Sequence, residues 1–389
     1  MLMLKKTIAA LSLLSILAAC QNDENPSQPE PKPRQDINLT RAEQEFMDKG
    51  TDFAFRFFDQ VCSTEKEKPN VFVSPLSASL CLSMITNGAT DNTLAEMQNV
   101  LGFPANTFSL DDLNNYNQKL TSALLDLDNT IQLGIANSIW IEEGFKVYDS
   151  FVDVNKKMYD ALVQELDFTS PTAKGVINQW CATQTNNCIK EVIQEIPADV
   201  RMYLINALYF KGIWKSQFDK SATGQDNFTN VDGSQQKVAM MNQTATFNYT
   251  QTDDFSIAEL PYGNEAFSMV ILLPSGDKTL DESLPSLNYE NWKQWSKNMV
   301  GKELQIKLPR FKVEYDKELE EDMIAMGMKD AFDAYKAKFA NMSGAELYIG
   351  LLQQFTYINV DEEGTEAAAV TVGECLKLHS IHLLLFPSL

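Results

Sequence analysis

Histidine is almost missing from this chain. Its 389 residues contain two, His379 and His382, both within eleven residues of the C-terminus. A Ser-His-Asp or Cys-His arrangement needs a histidine held on a folded scaffold, and this sequence leaves almost no room for one. Also absent are a glycine-rich phosphate loop, a dinucleotide fingerprint and a helix with two histidines at zinc-binding spacing. Paired carboxylates stay open, because acidic residues are abundant; nothing else asks for an enzyme. Basic residues are scarce: 32 Lys and Arg stand against 53 Asp and Glu, for a net charge of −21. A phosphate backbone repels such a surface, which argues against nucleic acid as a partner. Past residue 40 there is no Pro/Ser/Gly-rich linker, no charge block, no repeat and no apolar stretch long enough to cross a membrane. One large domain fits residues 40–389 as well as two would.

Cysteine is sparse too, six in all, and the first has a particular setting. Lys5 and Lys6 precede an apolar run over 7–19, too short for a permanent span. The run ends in Leu17-Ala18-Ala19-Cys20, which resembles a lipobox, the site where a bacterial signal peptidase cuts before a cysteine that carries lipid. Residues 1–19 then read as a lipoprotein signal peptide and Cys20 as the lipidation site. Residues 20–39, with Pro26, Pro29, Pro31 and Pro33, read as an extended polar tether. The alternative is an ordinary secretory signal with a chance cysteine. Acyl chains anchor by burial, at about 0.8 kcal/mol per methylene. The expected location is the bacterial cell envelope, with Gln21 compatible with an outer-membrane lipoprotein facing the periplasm or the cell surface. The other five cysteines are Cys62, Cys81, Cys181, Cys188 and Cys375, an odd number with no zinc-site spacing. Cys181 and Cys188 can pair only if 183–187 breaks the helix; buried free thiols are the preferred reading.

Along the chain, Thr40-Arg41-Ala42-Glu43 reads as a capping box that opens a helix with Phe46, Phe53, Phe57 and Val61 on one face. Ser74-Pro75 supplies a second start, for a buried helix ending near Asn87-Gly88. Thr93 to Glu96 reads as another capping box, with Gly102 closing its helix. Strand patterns cover 131–141, 203–210, 267–273, 304–308 and 355–360; helical patterns cover 150–163, 174–183 and 317–326. Helices first and mostly strands later predict an α+β protein with large sheets.

One stretch is peculiar. Residues 361–372 follow a strand, open with three acids and a glycine, then turn to small residues. Laid into a sheet, Thr365, Ala367, Ala369 and Thr371 share one face, small enough to slide over a core. Glu366, Ala368, Val370 and Val372 then face outward. Such a segment can be a mobile loop in one state and a buried strand in another. The same run also suits a helix cap followed by a short Ala-rich helix.

Glu362-Glu363-Gly364-Thr365-Glu366-Ala367-Ala368-Ala369 is similar, almost letter for letter, to the hinge of inhibitory serpins. Asn206-Ala207-Leu208-Tyr209-Phe210-Lys211-Gly212-Ile213-Trp214 resembles that family's most diagnostic internal motif. Ser74-Pro75-Leu76-Ser77, Glu259-Leu260-Pro261-Tyr262 and Leu308-Pro309-Arg310-Phe311 resemble further family motifs, all in the right order over about 41–374. The resemblance implies a single serpin domain: about nine helices around three β-sheets, with an exposed reactive loop at about 362–380. It implies a suicide-substrate inhibitor rather than an enzyme. A serine protease cuts the loop, stays attached through an acyl bond, and is dragged away as the loop enters the central sheet. Gly364 and Thr365 would be the hinge, and Ala367, Ala368 and Ala369 would travel into the sheet. Ser74, Ser77 and Asn206 match the polar cluster under the sheet that must part, and Trp214 the aromatic at the point of first insertion. Simple core roles suit those four as well. No cofactor or metal is implied, and a monomer is expected.

Two departures stand out. The family's histidine in the polar cluster is replaced by Gln354, whose amide still donates and accepts. After Glu374 the chain runs through Cys375, Leu376, Lys377, Leu378 and His379 to Leu389 without the family's two closing strands, which reads as a frameshift or truncation. The family's spacing puts the bond to be cut at Leu378-His379, where leucine suits a chymotrypsin-like or elastase-like protease. The rival readings are a non-inhibitory or defective serpin-fold surface lipoprotein and, more distantly, a glycan-binding or hydrolytic one.

Overall fold

A computed structural model describes residues 32–230 and 232–378. Cys20, residues 1–19 expected to form a signal peptide, and His379 lie outside the described residues. Helix α1, Arg41–Thr64, opens as the sequence predicts: the Thr40 hydroxyl accepts from the Glu43 N–H, and the Glu43 carboxylate accepts from the Thr40 N–H. It buries Phe46, Phe53, Phe57 and Val61. Helix α2, Pro75–Thr86, starts at Ser74, whose side chain caps the Ser77 N–H. All its residues from Leu80 to Thr86 are buried. Helix α3, Asp91–Leu101, ends at Gly102 in a left-handed conformation, φ 88°. Its start differs from the expectation, because Thr90 is the cap. Thr93 and Glu96 instead accept backbone N–H groups from a distant loop: Lys338 on Thr93, and Lys329 and Asp330 on Glu96. That tertiary use outcompetes a local capping box.

Helix α4, Leu110–Asp126, leads to strand β1, Gln132–Glu142, and helix α5, Asp149–Tyr159. The predicted helix over 150–163 is cut short at Asp160, which takes a left-handed conformation (φ 50°), and strand β2, Leu162–Leu166, follows. Helix α6, Ala173–Gln184, precedes strand β3, Val200–Ile213. Next come β4 (Gly224–Thr229), β5 (Gln235–Gln251), β6 (Phe255–Pro261) and β7 (Ser268–Pro274). After α7 (Leu280–Ser283) and α8 (Tyr289–Lys297) come β8 (Val300–Pro309), β9 (Phe311–Glu318) and α9 (Glu320–Met326). Strands β10, Leu347–Val360, and β11, Gly364–Lys377, complete the described chain.

The nine α-helices among the described residues surround two sheets. The larger has six strands in the order β2-β1-β3-β11-β10-β9; the smaller has β4-β5-β6-β7, with β8 on β5. The α+β architecture is the expected one. The count of sheets differs because β5 is continuous: β4 pairs with its first half, β8 with its middle and β6 with its end. The peculiar segment also differs from an exposed loop. Residues 364–377 form β11, antiparallel to β3 on one side and β10 on the other. The reason is physical: between two strands it satisfies its backbone groups on both edges.

A cluster rich in helix residues packs against one face of this sheet, with α2 at its centre. A second cluster, including Ile177 and Cys181 of α6, covers the other face. Cys181 and Cys188 are both free thiols.

Candidate functional site: the inserted segment and its hinge

Asp361 builds the turn from β10 into β11. Its carboxylate accepts from the N–H groups of Glu363 at 2.9 Å and Gly364 at 3.2 Å, a turn that aspartate favours. Trp214, just past β3, holds this turn from the side. Its indole N–H donates to the Asp361 carbonyl (2.8 Å) and its backbone N–H to the Glu363 carbonyl (2.9 Å). Its ring stacks on Tyr262 with centroids 4.5 Å apart, and the Tyr262 hydroxyl donates to Thr365 Oγ1 at 2.6 Å.

Each hinge residue has a different setting. Glu362 is buried; its carboxylate pairs with the Arg310 guanidinium and accepts from the Thr223 hydroxyl at 2.7 Å. Burial works to raise its pKa, but Arg310 and Thr223 outweigh that and hold the carboxyl below its usual range. Glu363 is exposed and pairs with Lys220, which lowers its pKa. Gly364 lies so close to β3 that a Cβ there would collide with the Gly212 carbonyl oxygen. Only glycine fits that approach. Thr365 is buried, and Glu366 accepts from the Tyr209 hydroxyl at 2.7 Å. Ala367 is half-buried, and Ala368 and Ala369 are buried.

The face of the strand that points away from α2 is covered as well. Ala368, Val370 and Val372 are at most 2 % exposed, because α6 and the loop after it cover them. Fully burying each valine contributes about 1.5–3 kcal/mol.

The polar cluster divides in two. Gln354 is buried and makes three hydrogen bonds: it accepts from the Ser74 N–H (2.7 Å) and donates to the Ser74 carbonyl (3.0 Å) and Thr371 Oγ1 (2.8 Å). Ser77 Oγ lies 2.8 Å from the same Thr371 oxygen. Ser74, Ser77 and Gln354 therefore meet on β11. Asn206 does not join them. Although Thr371 is its cross-strand neighbour, its amide donates to Asn137 Oδ1 at 2.9 Å, and Asn137 in turn donates to the Tyr159 carbonyl. Asn206 follows β3 toward β1 instead. At the far end of β11, the Leu378 N–H donates to the Glu346 carbonyl at 3.1 Å.

Sequence reasoning missed Arg310, Thr223 and Tyr262 as partners of the hinge. Arg310 and Tyr262 stand inside motifs singled out in the sequence, but nothing in a linear pattern says that they reach residues 52 and 103 positions away.

A family model for "Serpin (serine protease inhibitor)" matches residues 48–383. The chain belongs to the serpin family. Serpin B6 of Macaca fascicularis is 36% identical over 315 residues, covering 78% of this chain and 83% of its own. The leukocyte elastase inhibitor of Xenopus tropicalis is 33% identical, covering 83% of this chain and 88% of its own. Among solved structures, the thermophilic serpin tengpin in its latent state has a TM-score of 0.79 and 31% identity, covering 89% of this chain and 93% of that one. Serpins are mostly protease inhibitors, and this one carries the family's α+β fold.

Proposed function

We propose that this serpin inhibits a secreted or host serine protease as a suicide substrate, from a lipid anchor at Cys20 on the bacterial cell envelope. The observation that carries the reading is β11 itself: residues 364–374 pair without interruption with β3, and the strand is hydrogen-bonded to β10 on its other edge, with its small residues accommodated on both faces. In the starting state the segment would be exposed as bait. The protease serine would attack the Leu378 carbonyl carbon, and the bond to the His379 nitrogen would break as that nitrogen takes a proton from the protease. Leu378 would remain as an ester on the protease. Insertion then starts at Gly364 and Thr365, beside Trp214, and runs to Lys377. A strand of 14 residues at about 3.3 Å each would move the attached protease roughly 45 Å. Side chain Leu378 suits a chymotrypsin-like or elastase-like partner, and no metal or cofactor enters the chemistry.

The test uses the lipid-free chain, 21–389, incubated with chymotrypsin, elastase, trypsin and subtilisin and run on a denaturing gel. A stable band at the summed mass is expected with chymotrypsin or elastase. Cleavage without such a band would leave a serpin that is a substrate, the non-inhibitory alternative.

A further inference from the structure

A buried carboxyl near the far end of β11 has no part in the reading above. Glu374 is 5 % exposed, and it pairs across the sheet with Tyr203 on β3 and Leu351 on β10. Its Oε1 has no hydrogen-bond partner among the described residues. Val372 and Leu376, its neighbours on the same face of the strand, pack in the apolar cluster with α6. The surrounding titratable groups do not neutralise it. Asp199, just before β3, repels it. Tyr203 and Tyr348 are phenols whose ionisation burial disfavours, so they bring no positive charge to it. The Cys375 thiol on its own strand and the Cys181 thiol on α6 are pushed up by burial. Of the cations on this face of β3, Arg201 donates to the carbonyls of Ala198 (3.0 Å) and Val200 (2.6 Å) instead, and Lys211, at the other end of the strand, pairs with Glu366. Lys377 is exposed at the strand end.

We propose that moving the segment from an exposed loop into the sheet takes up one solvent proton at Glu374, so that the inserted state is favoured in mild acid and disfavoured above neutrality. The proposal rests on the reading that the segment has an exposed state. In a solvated loop the carboxyl titrates near its ordinary 4.5; burial first, and then the Asp199 charge, pushes it up to about 7 in the sheet. The sign follows from linkage. A carboxyl with a raised pKa favours the inserted state fully below 4.5, and that contribution is lost as pH rises to about 7. Across this window the ratio of inserted to exposed molecules falls by roughly 300-fold, tenfold per pH step.

The test takes the full chain, cleaved in its loop by subtilisin, with hydrogen exchange reporting whether the β11 amides are protected. Thermal unfolding of wild type and Glu374→Gln is then followed from pH 5 to 8, and the Glu374 carboxyl is titrated by carbon-13 NMR. The wild-type midpoint should fall relative to the variant as pH rises, and the carboxyl should titrate near 7. Parallel curves, or a titration near 4.5 with protected amides, overturn the proton uptake and leave the inhibitory reading standing. Freely exchanging amides after cleavage mean that the segment does not insert, which overturns both. Arg201→Gln should leave the titration in place; a large upward shift would mean that Arg201 screens Glu374 and would also overturn the proposal.

Discussion

Thr365 occupies a space that suits one hydroxyl and one methyl, beneath Tyr262 and against Gly212. An arginine there would have to bury a charge without a partner, a cost of several kcal/mol. Thr365→Arg should therefore still be cut at the loop but lose the covalent band on a denaturing gel. An equal yield of complex from the variant would show that Thr365 does not have to enter the sheet. Two other residues set opposite pH trends. The Glu362 carboxyl, held below its usual range beside Arg310, contributes stability above its ordinary pKa that is lost as pH falls further. Glu374 contributes below 4.5 and loses that contribution toward 7. The inserted form should accordingly be most heat-stable near pH 5, where Glu362 is charged and Glu374 neutral. A midpoint that climbs steadily to pH 8 would contradict this.

At the scale of elements, α2, β10 and β11 are joined through Gln354. Its replacement by leucine deletes three hydrogen bonds and leaves the Ser74 N–H inside without its acceptor, a loss of about 1–3 kcal/mol. Gln354→Leu should lower the thermal midpoint of the inserted form by a few degrees, read by circular dichroism; an unchanged midpoint would remove Gln354 from the cluster. The legible elements were those whose signals are local. Thr40 and Ser74 cap the helices they were expected to cap, and the aliphatic runs of β1, β3 and β7 carry their own pattern. Strand β5 was missed, because Gln235-Gln236-Lys237 and Asn242-Gln243-Thr244 break any apolar alternation. It is held by partners as distant as β8. Strand β11 illustrates the deeper limit: its sequence allowed loop, helix or strand, and only the gap between β3 and β10 selects among them.

For the whole molecule, the inserted strand is a stability statement. Burying Val370 and Val372 contributes about 3–6 kcal/mol together. Starting from the exposed state proposed above, and at about 2 °C per kcal/mol for a chain of this size, cutting the loop should raise the unfolding midpoint by roughly 10 °C. A cut chain that melts with or below the intact one would mean that the exposed state stores no free energy. What remained hidden at this scale was the covering of the second face by α6, which no periodicity in residues 364–377 announces.

The larger sheet has one place between β3 and β10, and β11 fills it from end to end. A place that can be filled once has no turnover. On the inhibitory reading proposed above, protection would be set by how many intact copies remain, and the ratio of filled to unfilled sheets would keep a count of the encounters already past.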